Sequence, residues 1–304
     1  MTRQLEPFEL SELVVDCRCT LGEGILWCPR REVFWWTDIQ SSCLWMHSPD
    51  KRKTRRWDLP DRLGCLALCE SGKLLLGLAN GLFLADLDVD SDDAPRLSPL
   101  TPVEIHEPRT RINDGRVDRA GNFVFGTLNE DAAKHPIGGF YQYSALGLQR
   151  LKLGDVAIPN SICFSPDGRT LYYCDSLQPR ILCCDYDAET AHTTQCRIFA
   201  EVSVAGSCAD GSTIDAEGCL WNAQWGAARV VRYTPKGAID RVVYVPAKNP
   251  SCVALGGTML DQLYITTARL DLSADELEEL PGSGGIYRWL APVNGLPACR
   301  VRHL

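Results

Sequence analysis

Short apolar runs alternate with polar, glycine-bearing turns along the chain. Six of these runs recur at near-constant spacing: FWWT at 34–37, LLLG at 74–77, FVFG at 123–126, LYYC at 171–174, LWNA at 220–223 and LYIT at 263–266. Their last residues lie roughly 40 to 50 positions apart. Before most of them stands an acidic residue with a glycine, as in DRAG at 118–121, PDG at 166–168, DAEG at 215–218 and ESG at 70–72, which is hairpin-turn chemistry. A second strand returns after each: CLWMHS from Cys43, LFLADL from Leu82, FYQYSA from Phe140, ILCCDY from Ile181, VVRYTP from Val230 and IYRWLA from Ile286. Most units close with a more polar outer strand, such as TRRWDL from Thr54 or CRIFAE from Cys196. Each unit therefore reads as a four-stranded antiparallel meander, unable to bury its faces alone. Six of them in a ring bury one another, which predicts an all-β chain folded as a six-bladed β-propeller.

One strand is displaced. The segment ELSELVVD at 9–16 has strand character but precedes the first inner strand, while the chain ends soon after residues 300–304. The prediction is that this amino-terminal strand completes and locks the last blade. An amino-terminal helix is the alternative, because Leu10, Leu13 and Val14 also fit a helical spacing.

Composition narrows the class. With 304 residues, 45% of them hydrophobic, residues 1–304 are expected to form a single repeat-built domain with a large core. A formal charge of -8 argues against a general nucleic-acid surface, and the one basic cluster, at 51–56, reads as a solvated hairpin turn. The segment MTRQLEPFEL lacks the apolar core of a secretion signal, and no run approaches the eighteen or so apolar residues of a membrane span. A cytoplasmic protein, monomeric or weakly homo-oligomeric, is expected. The fifteen cysteines are odd in number, and many sit inside predicted strands (Cys163, Cys174, Cys183, Cys184, Cys219), so they read as core packing in a reducing compartment. Neither Cys17 with Cys19 nor Cys65 with Cys69 has zinc-site spacing.

Counting back about thirteen or fourteen residues from the end of each anchor strand finds one equivalent position per blade, where the chain enters the innermost strand. These positions are Glu23, Leu63 or Gly64, Asn113, Asn160, Asp210, and Cys252 or Val253. Equivalent positions in a propeller lie on one ring around the axis, so four blades aim Glu, Asn, Asn and Asp at a common point. Singly, each has a plainer explanation: Glu23 as a solvated turn acid, Asn160 as a turn former after Pro159, and Asp210 or Asp114 as ordinary Asp-Gly turns. Matched register in separate units favours convergence. Carboxylates and amides crowded near an enclosed axis need something positive between them. A divalent cation is the simplest answer, and oxygen donors suit Ca, Mg or Mn while remaining compatible with Fe(II) or Zn.

The segments LGEGILW at 21–27, RINDGRVDRAGNFVFGT at 111–127, PNSICFSPDGRTLYYCDS at 159–176 and ADGSTIDAEGCLW at 209–221 resemble the gluconolactonase, regucalcin and luciferin-regenerating enzyme family of six-bladed propellers. The likeness runs over nearly the whole chain and includes GGTMLDQLYITTAR at 256–269. It implies that one divalent metal is held by Glu23, Asn160 and Asp210. It further implies that Asn113 contacts substrate or a water beside the metal, that Arg111 holds sugar hydroxyls, and that an acid after the GT motif, Glu130 or Asp131, also meets substrate.

The expected function is therefore a hydrolase of carboxylic ester bonds in carbohydrate metabolism: a lactonase opening a glucono-, xylono- or arabinono-lactone. Carbonyl polarisation by the metal and proton transfer by Asp210 would drive ring opening. Asp175 is either a group supporting Asn160 or a turn acid. No G-x-S-x-G elbow occurs, and His47, His106, His135, His192 and His303 all lie outside the ring positions. A metal-dependent esterase or phosphotriesterase, and a noncatalytic calcium-binding regulatory or scaffold propeller, are the alternatives.

Overall fold

The computed structural model describes residues 9–91 and 93–304. Residues 1–8, which carry most of the segment read above as lacking a secretion signal, lie outside the described residues. The predicted propeller is present: six four-stranded antiparallel sheets, each a meander from an inner to an outer strand. The inner strands are Gly22–Cys28, Leu63–Leu68, Thr110–Val117, Pro159–Phe164, Cys208–Ile214 and Asn249–Gly256. Each pairs with its anchor strand, in order Val33–Asp38, Leu74–Leu78, Phe123–Asn129, Thr170–Asp175, Leu220–Trp225 and Gln262–Ala268. The acid-glycine turns behave as their chemistry requires, with Gly72, Gly121, Gly168 and Gly218 all at positive φ.

Anchor strands are buried along nearly their whole length because both faces pack on neighbouring blades. Six apolar clusters fill the six seams. The seam between the first and last blades is the one that chain connectivity does not enforce. There the Phe34 ring stacks on Tyr264 with centroids 3.8 Å apart. Gly256 makes room, since a Cβ at that position would lie 2.4 Å from the Phe34 ring.

The amino-terminal segment is a strand, Glu12–Val15, at the outer edge of the last blade. Glu12 pairs in register with Arg288 and Leu13 with Tyr287, and the Glu12 carboxylate forms an ion pair with Arg288. Just before it, Ser11 N donates to Tyr244 O at 2.9 Å and Glu9 pairs with Arg241 at 2.8 Å, tying the segment to the fifth blade as well. The helical alternative fails because these partners offer a sheet edge to extend.

Three features differ from expectation or were not foreseen. Of the basic cluster, Lys53, Arg55 and Arg56 stand on the outer strand Lys53–Asp58 rather than in a turn. A short helix, Ala274–Glu279, is capped by Ser273 and Glu276. Residues 295–304 run as a strap across the ends of the inner strands: Gly295 N bonds Leu260 O, Val301 N bonds Leu68 O, and Arg302 N bonds Gly121 O. All fifteen cysteines are free thiols, most of them buried. No helix among the described residues is long and apolar enough to cross a membrane.

Removing residues 1–16 exposes the Ile286–Leu290 edge and unlocks the seam. The expected result is a fall in the thermal midpoint of about 5 °C or more by circular dichroism, with residual secondary structure still mostly strand.

Candidate active site

All six inner strands break register with their anchor strands near the same point, between Glu23 and Leu26, Leu63 and Cys65, Ile112 and Gly115, Asn160 and Cys163, Ala209 and Ser212, and Pro250 and Cys252. A bulge turns the strand locally and re-aims its side chains. Six such bulges in a closed ring carry these residues to the axis. In the last blade the bulge falls on Ser251, one residue before the position counted from sequence. Its hydroxyl is turned to Gly22 O of the first blade and to Thr266 Oγ1.

Glu23, Asn113, Asn160 and Asp210 are brought together. The Glu23 and Asp210 carboxyls are near enough for each to perturb the other's titration. Asn113 Nδ2 donates to Asn160 Oδ1 at 3.1 Å and to Pro159 O at 3.0 Å. Arg111, buried, donates to Asn113 Oδ1 at 3.0 Å. Of the two acids left open by sequence, Glu130 belongs to this group: it lies 3.5 Å from Arg111 Nε and is gripped by both terminal nitrogens of Arg62. Asp131 turns outward towards Arg109, at 3.7 Å. Asp175 is a turn acid, accepting from Ala157 N, Ile158 N and Leu177 N, and so fixes the backbone that leads into Asn160.

The neighbouring side chains hold these groups in place. Ser161, next to Asn160, has φ +62°, a left-handed conformation that costs a non-glycine residue about 1–2 kcal/mol. Its hydroxyl offsets that cost by donating to Asp210 O at 2.6 Å. Asn222 Nδ2 reaches the same carbonyl at 2.9 Å and also meets Ser161 Oγ and Ser212 Oγ. Asn160 Nδ2 donates to Ser176 Oγ at 2.9 Å, which in turn donates to Ala209 O at 2.8 Å. Asp114 is no surface turn: buried, it accepts from Gly115 N and from Ile162 N of the next blade.

Sequence reasoning passed over Arg62, Ser161, Ser176 and Asn222. Asn222 carried a usable signal, as an amide in the middle of an otherwise apolar anchor strand. Arg62 carried none, since nothing near it in sequence points to Glu130.

Three carboxyl groups thus meet at the axis, and among the described residues none is ion-paired. Burial first, then the Asp114 charge, pushes Glu23 from 4.5 up to about 8. Burial, then the Glu23 charge, raises Asp210 well above the carboxylate range, and burial raises Asp114. Arg111 is lowered to about 10, chiefly by burial, with Glu130 opposing. Among the described residues no three His, Cys, Asp or Glu side chains form a metal-binding cluster. The axial donors are instead two acids and an amide, an oxygen set that fits a hard divalent ion and whose unpaired carboxyls supply the charge to attract one.

Fold and site together define a six-bladed propeller with an acid-and-amide axial pocket. The chain belongs to the SMP-30/Gluconolactonase/LRE-like family, whose sequence profile matches residues 21–269. It is 43% identical over 291 residues to the L-arabinolactonase of Azospirillum brasilense, covering 94% of this chain and 93% of that protein. It is 33% identical over 289 residues to the 6-deoxy-6-sulfogluconolactonase of Pseudomonas putida, covering 94% and 97%. Both are named as lactonases, which are carboxylic ester hydrolases. Among solved structures, the calcium-binding protein regucalcin of Agrobacterium tumefaciens superposes with a TM-score of 0.88 at 30% identity, covering 96% of this chain and 97% of that one.

Two predictions follow from this geometry. Asn222→Ala leaves Asp210 O and two hydroxyls short of a donor, so the variant loses about 1–3 kcal/mol in denaturant unfolding. A carboxyl whose folded pKa is raised favours the fold below its unfolded pKa, and that contribution is lost as pH rises through the folded value. For Glu23 the window runs from 4.5 to about 8. Chelated protein should therefore lose stability across that window, and an added divalent ion should raise the thermal midpoint more at pH 8 than at pH 5.

Proposed function

We propose that this protein is a divalent-metal-dependent sugar lactonase that hydrolyses an aldonolactone, arabinono-lactone foremost, to the aldonic acid. The observation that carries the reading is the convergence of Glu23, Asn160 and Asp210 on the axis beside Asn113 and Arg111. The 43% identity to a protein named L-arabinolactonase supports the choice of sugar.

Glu23, Asn160 and Asp210 would hold the ion. When bound, it supplies Lewis-acid polarisation of the ester carbonyl. The protein's own groups do the rest. Asp210 takes a proton from the attacking water and returns it to the ring oxygen as the carbon-oxygen bond breaks. Its carboxyl is held for this task through its own backbone, by Ser161 and Asn222. Asn113 and Arg111 orient the sugar hydroxyls, and Glu130, fixed by Arg62, accepts a hydrogen bond from one of them. Positioning of this kind demands a rigid scaffold, and the buried hydrogen-bonded ring supplies it.

Acid release should be measured on arabinono-, xylono- and gluconolactone, an aryl ester and an acyl-homoserine lactone, after chelation and with Ca, Mg, Mn, Zn or Fe(II) restored. Turnover is expected on aldonolactones and only with metal. Preferential turnover of the aryl ester would contradict the substrate class, and full activity in chelator would contradict the metal. Asp210→Ala should reduce turnover at least about 100-fold while the circular dichroism spectrum and strand content are retained.

A further inference from the structure

The far end of the axis holds a chamber of about 80 Å³, roofed by Leu296, Pro297, Ala298 and Cys299 of the carboxy-terminal strap. That volume admits a few water-sized particles and no sugar. Most of its wall is apolar, its polar lining includes Arg116, Arg119 and Thr213, and no carboxylate lines it. Arg116 Nη2 donates to Ser212 O at 2.9 Å, and its buried Nε has no partner. Arg119 Nε reaches Ser165 O at 3.3 Å, and its Nη1 lies 3.4 Å from Cys299 Sγ.

Among the described residues neither arginine makes an ion pair. The acid facing Arg116 is Asp114, and its two oxygens are already engaged by Gly115 N and Ile162 N. A partly buried guanidinium whose Nε is cut off from water and which has no contacting counter-ion is costly, and the mostly apolar walls weaken its screening.

We propose that this chamber is a second binding site, which takes one small monovalent anion, a halide or a short carboxylate, held by Arg116 and Arg119. Thr213 is the hydroxyl available to complete its coordination. The anion also ties the strap to the ring, because Arg119 touches both the chamber and Cys299. This site lies at the opposite end of the inner strands from Glu23, Asn160 and Asp210, and its occupancy does not depend on the lactonase reading.

The test uses the full chain. Crystals soaked in sodium bromide should show an anomalous peak within hydrogen-bonding distance of the Arg116 guanidinium. In solution at constant ionic strength, replacing sodium glutamate, too large for the chamber, by chloride, bromide, formate or acetate should raise the thermal midpoint saturably, by about 2 °C near tenfold saturation. Preference among these four separates a halide site from a carboxylate site. Arg116→Gln should abolish the increment. Because that variant can fail to fold, Arg119→Gln at the chamber wall is the second, and it should weaken the anion's effect several-fold. A chamber holding only water in the bromide-soaked crystal, with identical midpoints in glutamate and bromide, overturns the proposal.

Discussion

Like charge packed at an axis is the constraint on which this molecule turns. The repeat brings an equivalent residue of every blade to the same ring, where Glu23 and Asp210 place carboxyls, and Asp114, one residue after the ring position Asn113, adds a third buried beside them. Burial together with charge repulsion raises Glu23 and Asp210 above the ordinary carboxylate range, and burial raises Asp114 while Arg116 opposes it. Such an arrangement is tolerable when the groups are protonated or when a cation lies between them. The proposed lactonase chemistry uses the second solution, because a hydrolase working near neutral pH needs Asp210 free to accept a proton.

Holding those groups together requires the ring to be closed. The stacking of Phe34 on Tyr264 and the strand Glu12–Val15 close the seam between first and last blades. Closure also sets the distances between blades, so hydrogen bonds such as Asn113 to Asn160 and Ser161 to Asp210 O can span neighbours. The left-handed backbone at Ser161 shows that local conformation yields to the site, with strain offset by the bonds it permits.

Much of this was legible in the sequence, for a physical reason. A propeller repeats one geometry, so register counted along the chain translates directly into position around the axis, and Glu23, Asn113, Asn160 and Asp210 could be found from spacing alone. The count holds in the last blade, where Cys252 pairs with the anchor-end Thr266 as Glu23 does with Thr37, while in the second blade the anchor-end Gly77 pairs with Cys65 rather than with Leu63 or Gly64. Contacts without periodicity were hidden. Neighbouring residues do not say that Glu130 rather than Asp131 turns inward, since that depends on Arg62 from the preceding blade. The strap at 295–304 likewise follows no repeat, and its place was visible only once the inner strands supplied its partners.

The central claim is that the axial oxygens form a metal site. Crystals of chelated protein soaked in manganese, measured on both sides of the manganese absorption edge, test it most directly. The account predicts one strong anomalous peak on the axis, bounded by oxygens of Glu23, Asn160 and Asp210 at about 2.1–2.3 Å. An axis with no peak, or an ion bound only at other residues, would contradict it.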